Sequence, residues 1–183
     1  MRLLLTCLVL SIAAPVAAED VLTSPYRDQT LTEIRGLTDK EISELRQGRG
    51  MGLARAAELN GYPGPRHVLD AVGAGRLQLT PDQLQTVQRL YDGMSSEAQR
   101  LGDMVLKEEW ALEQAFRKGA ISKADLHASV GRIAALQGAL RTVHLRAHLE
   151  TRLALSEPQI QRYNQLRGYT AGSSEDQKHE HRH

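Results

Sequence analysis

This sequence of 183 residues predicts an all-α fold built on one long antiparallel helical hairpin with short flanking helices. Three observations carry that expectation. The phrase Leu79-Thr80-Pro81-Asp82-Gln83 returns as Leu155-Ser156-Glu157-Pro158-Gln159. In each, a hydroxyl residue is followed three positions later by Gln, the pairing that satisfies two orphan donors at a helix start. Pro81 takes the first helical position, where a missing N–H costs nothing. No proline lies between Pro81 and Pro158, so no pyrrolidine ring interrupts a helix there. Within that interval apolar residues recur at alternating three- and four-residue steps.

The chain opens with Arg2, an apolar run from Leu3 to Ile12, and the small residues Ala13-Ala14-Pro15-Val16-Ala17-Ala18. A short basic start, a brief apolar stretch and small residues before the cut describe a secretory signal peptide over 1–18, cleaved after Ala18. The run is too short to cross a bilayer, which takes about 20 residues. Cys7 lies inside it and lacks the small residues that precede a lipid-modified cysteine. Removal of this segment takes away the only Cys and one Arg, leaving 22 basic residues against 22 acidic ones. An exported chain without cysteine forgoes disulfides that its compartment would permit. Neutral charge, with one Trp, five Tyr and one Phe, argues against nucleic acid, which wants a basic surface and stacking rings. About 165 mature residues suffice for one domain with a real core.

Residues 19–36 read as a flexible, polar lead-in, and 37–169 as the helical domain. Thr38-Asp39-Lys40-Glu41 is a capping box that starts a short helix running to Gln47. Gly48-Arg49-Gly50-Met51-Gly52 breaks it, and Leu53 to Leu59 suits one or two further turns. Asn60-Gly61-Tyr62-Pro63-Gly64-Pro65 admits no regular element, because residues before proline avoid the α region. Arg66 to Val72 then forms a short helix closed by Gly73 and Gly75.

The hairpin itself spans 80–154. Leu84, Val87, Tyr91, Met94, Ala98, Leu101, Val105, Leu112 and Ala115 make a heptad-like seam with Glu108 as its polar intruder. Gly119 supplies a C-cap, Lys118 complements the helix dipole, and Ser122 caps the next helix. The second long helix shows Leu126, Val130, Ile133, Leu136, Leu140, Val143 and Ala147 on one face. A three-residue connection forces the two rods to lie antiparallel. Ile160 to Arg167 forms a last short helix ended by Gly168, and 170–183 is a polar, disordered tail holding His179, His181 and His183.

Opposite its seam, the second long helix carries a further apolar face of Leu145, Leu149, Ala134, Gly131 and Gly138. Two covers suit it: a dimer or client interface, or Val68, Leu69 and Val72 folding back from the N-terminal segment.

The paired motifs and their spacing resemble the Spy/CpxP family of periplasmic proteins and the related heavy-metal-resistance group. Those proteins carry a signal peptide, a long hairpin and two Leu-Thr-x-x-Gln motifs. Here Leu79, Thr80 and Gln83 match in full, while Leu155, Ser156 and Gln159 depart by Ser for Thr. The resemblance covers 65–169 and leaves the segment 48–67 without an assigned role. It implies a thin homodimer in the periplasm with no enzymatic activity. Members either bind unfolded clients as ATP-independent chaperones in envelope stress, or bind and sense Zn, Ni, Co or Cu. Docking to an envelope sensor protein is a third role.

His144 and His148, four residues apart, leave the second long helix on the same side and can share one transition-metal ion. Similar pairs carry metal in the sensing relatives. Asp92, across the hairpin, is the candidate third ligand; otherwise both rings flank the seam and bond Asp92, Glu97 or water. His179, His181 and His183 suit weak metal capture or a solvated end. His67 and His127 read as structural. Met51, Met94 and Met104 are too scattered for a copper array, and Met94 reads as core filling. Trp110 and Phe116 near the hairpin tip suit client contact or a partner subunit. Asp103, Glu108, Glu109 and Glu113 read as a solvated face. No cysteine, Gly-rich phosphate loop or nucleophile elbow is left for catalysis.

Overall fold

The short helices arise where the capping residues put them. A computed structural model describes residues 23–169, and among these the secondary structure is entirely helical. After a single 3-10 turn at Arg27–Leu31, α1 spans Asp39–Arg46, α2 Arg55–Glu58 and α3 Pro65–Gly73. The two long helices are α4, Pro81–Arg117, and α5, Lys123–Ala154; α6 covers Glu157–Arg167. Thr38, Thr80 and Ser122 each accept from the backbone N–H three residues on, and that residue's side chain reaches back to the cap. Lys118 and a left-handed Gly119 end α4. The predicted signal peptide 1–18 and the tail histidines His179, His181 and His183 lie outside the described residues.

Helices α4 and α5 form the spine. At 1.5 Å per residue, their 37 and 32 residues extend about 55 and 48 Å. Their contacts run in reverse order along the chain: Gln83 Nε2 donates to the Ala154 carbonyl at 3.0 Å, and Arg132 Nε to Glu108 Oε2 at 2.8 Å. Two apolar clusters hold other elements to this pair. In the middle, Ile42 and Leu45 of α1 pack with Ala98, Leu101, Val105 and Leu106 of α4 and Leu140 and Val143 of α5. At the base, Val68, Leu77, Val87, Leu155, Ile160 and Tyr163 join α3, α4 and α6. Toward the tip, Ile133 is buried, whereas Trp110, Phe116 and Val130 stay about half exposed.

Five details correct the sequence reading. The core begins before residue 37: Ile34, placed in the flexible lead-in, is buried in the middle cluster. The helix expected over Leu53–Leu59 contracts to one turn, because Met51 and Gly52 both take positive φ and delay its entry. The acidic face is not uniformly solvated. Glu108 receives Arg132, and Glu113 has only 9% of its side chain exposed, held by Arg117 Nη2 at 2.6 Å. Finally, α3 packs into the base cluster rather than over Leu145 and Leu149, and Leu149 stays exposed. His127, read as structural, is exposed on α5.

Gly102 marks where α1 meets α4. A Cβ there would collide with the carbonyl of Leu45, and backbone cannot swing aside as a side-chain tip can. Gly93, on the same helix, faces open space. In urea denaturation, Gly102→Ala is expected to destabilise by about 1–3 kcal/mol through overpacking. Gly93→Ala should stabilise by about 0.5–1 kcal/mol, since only backbone entropy changes.

Candidate functional site

The two repeated motifs meet at the base of the long pair. Gln83 Oε1 accepts from its own cap, Thr80 N–H, at 3.0 Å, and Gln159 Oε1 accepts from Ser156 N–H at 2.8 Å. The two amides then join each other: Gln83 Nε2 donates to Gln159 Oε1 at 3.0 Å, and Gln159 Nε2 to Gln83 Oε1 at 2.9 Å. Their second protons go to the carbonyls of Ala154 and Gln78. Each glutamine thus serves its own helix start and holds the capping amide of the other. Leu155 is buried beside them and Leu79 partly so, which explains the leucine of each motif.

Above this clasp the segment 48–67 crosses α5 and α6. Glu58, 9% exposed, is its anchor. Its Oε1 accepts from Tyr163 Oη at 2.6 Å, Arg167 Nε at 3.0 Å and Tyr169 Oη at 3.2 Å. Its Oε2 lies 3.5 Å from His148 Nδ1. A buried carboxylate is tolerated only with such a full set of donors. Burial first, and the Glu58 bond second, push the Tyr163 phenol far above its ordinary range, so it remains a donor. Arg152 reinforces the same crossing: it donates to the Gly61 carbonyl at 2.7 Å and lies over the Tyr62 ring.

His144 and His148 both sit on the inner side of α5, under this segment, and both are buried. His148 Nδ1–H donates to the Tyr62 carbonyl at 2.8 Å. His144 is 3% exposed and its Nε2, shut off from solvent, has no hydrogen-bond partner. Asp92 is not brought to them: it is exposed and accepts from Gln88 Nε2 at 2.9 Å. Glu97 is likewise engaged elsewhere, by Arg100. Thus neither carboxylate that sequence placed opposite the histidines bonds to them. Met94, His67, His144 and His148 instead border one cleft of about 650 Å³ beneath the loop 48–50. Among the described residues, no group of three His, Cys, Asp or Glu side chains is placed to hold one metal ion.

Sequence reasoning missed Glu58, Tyr163, Arg167 and Tyr169. The three-residue spacing of Ile160 and Tyr163 on α6 is a local signal that could have placed Tyr163 on an inward side. Nothing local marks Glu58, whose partners lie about a hundred positions away. Leu145 is half-buried, Leu149 is 50% exposed, and Trp110 and Phe116 are 51% and 55% exposed near the tip.

No protein-family model matches the chain, and no characterised protein or solved structure is significantly similar to it. The likeness to the Spy/CpxP group therefore rests on the two motifs and their spacing.

Burial, then the neighbouring His148, lowers the proton affinity of His144 below the ordinary 6.5. An unfolded chain binds that proton more readily, so stability is present above pH 6.5 and lost as pH falls toward the depressed folded value. The urea midpoint is expected to drop between about pH 7.5 and 5.5, within the histidine range. His144→Leu should flatten that part of the slope; an unchanged slope counts against a buried neutral ring.

Proposed function

We propose that the chain is an exported, ATP-independent client-binding protein of Spy/CpxP type. In this reading it is a non-enzymatic hairpin, dimeric in the periplasm, that holds partly unfolded polypeptides through weak apolar contacts. One observation carries it: the outer line of α5 is left uncovered, with Leu149 50% and Leu153 80% exposed. The segment that offered an intramolecular cover packs into the base cluster instead. Trp110, Phe116, Leu126 and Val130 are further exposed apolar residues toward the tip, and Arg146 and Glu150 flank Leu149 with charge.

Magnitudes favour transient capture. Burying the parts of Leu149 and Leu153 still exposed contributes about 2–4 kcal/mol, while association costs about 4–15 kcal/mol in lost freedom. Contacts of that size hold and release without ATP. A lasting dimer draws on more area, for which the exposed Gly131, Ala134 and Gly138 allow close approach. No helix among the described residues is long and apolar enough to cross a membrane.

Light scattering of an aggregating client tests the reading. At several-fold molar excess, the protein should suppress aggregation, and Leu149→Ser/Leu153→Ser should remove at least about half of the effect by deleting apolar area. No suppression, or suppression untouched by the double change, overturns it.

The unpartnered His144 Nε2 favours a second reading, a binder of Zn, Ni, Co or Cu in heavy-metal resistance. His148, oriented through Nδ1 by a backbone carbonyl, has the arrangement that metal-bound imidazoles usually show. Further ligands must come from elsewhere than Asp92. Calorimetric titration with each ion should show one saturable site, abolished in His144→Ala/His148→Ala. Absence of binding, or binding indifferent to that change, removes this reading.

A further inference from the structure

The cleft above the histidines has a charge character that neither reading uses. Arg46, Arg49, Arg66, His67, His144 and His148 border it, and no Asp or Glu does so among the described residues. In a chain with a net charge of only +1, the three guanidinium groups of Arg46, Arg49 and Arg66 give this cleft its positive charge. Arg46 and Arg66 are paired with Glu33 and Asp70, at 2.7 and 3.0 Å, and Arg66 Nη1 also donates to Tyr91 Oη at 3.3 Å. Among the described residues Arg49 has no carboxylate partner; its Nε donates to Gln47 Oε1 at 3.1 Å.

The start of α3 borders the same space. Helices α1, α4, α5 and α6 all open with a capping box, but α3 has no side-chain cap and no acidic residue in its first turn. Gly64 and Pro65 bring the backbone close against the cleft wall: a Cβ on Gly64 would strike the His148 ring. The N–H groups of Arg66 and His67 follow and meet no acceptor among the described residues. Independently, His144 is 3% exposed and has an unsatisfied ring nitrogen. A buried polar atom without a partner costs about 1–3 kcal/mol unless something bonds it.

We propose that this cleft binds a small oxyanion of the phosphate-monoester class. A phosphate group has several acceptor oxygens for guanidinium and helix-start N–H groups to share. The cleft volume of about 650 Å³ leaves room for an organic substituent beyond the phosphate itself. A soluble phosphate ester and a lipid phosphate headgroup share this chemistry.

Titration of the metal-free protein with glycerol 3-phosphate and with inorganic phosphate, at fixed ionic strength, tests the proposal. Vesicles with and without phosphatidylglycerol form the second arm. Saturable binding of glycerol 3-phosphate is expected, weakened about tenfold or more in Arg46→Gln/Arg49→Gln through loss of charge-assisted bonds. Arg132→Gln, whose side chain pairs with Glu108 away from the cleft, should bind as the unaltered protein does. Vesicle binding that glycerol 3-phosphate displaces, and that the double variant loses, assigns the site to a headgroup. Absence of saturation in both arms overturns the site. So does binding that Arg132→Gln weakens as much as the double variant, provided circular dichroism shows all three proteins equally folded.

Discussion

The arrangement depends on the reciprocal bond between Gln83 and Gln159. Each amide completes the cap of its own helix and then spends its remaining donor and acceptor on the other, so two helix starts become one joint. The joint fixes the register of α4 against the end of α5, because Gln83 also bonds the Ala154 carbonyl. With that end pinned, the seam residues of the two long helices face each other from Val87 onward. A hydrogen bond between neutral groups is worth only about 0.5–1.5 kcal/mol net. Its structural weight lies in geometry: it selects one alignment among the several that a repeating apolar seam allows.

A second constraint works at right angles to the first. Glu58 gathers Tyr163, Arg167 and Tyr169 from the last helix and the residues beyond it, and lies beside His148 of α5. Desolvating a carboxylate is costly, so the cluster is favourable only when complete. That all-or-none quality holds the irregular chain from Gly48 to His67 against the spine. It also roofs His144 and His148, which turns two histidines on a helix face into the floor of a cleft.

The molecule therefore has two distinct surfaces. Its base is well packed, polar in its joints and basic in its cleft. Its tip and the outer line of α5 are sparsely covered and apolar, with Leu153, Phe116 and Trp110 open to solvent. Sparse packing of this kind goes with easy local opening, a property suited to adaptable contacts.

Local chemistry made the helices readable from sequence: cap residues, proline at the first position, glycine past the end, and an apolar period near 3.5. These act over three or four residues, so Thr38, Thr80, Ser122 and Gly119 announce their roles without knowledge of the fold. The inward side of α5 was legible for the same reason. The partners of His144 and His148 were not. Asp92 faces solvent although helical spacing put it across the hairpin, because a seam fixes which faces meet but not how far each polar side chain reaches. Only tertiary structure decided that Ile34 joins the core, that α3 leaves Leu149 bare, and that Glu58 meets Tyr163. Those pairings span large sequence separations and are set by packing and by the satisfaction of buried charge, for which a one-dimensional pattern holds no record.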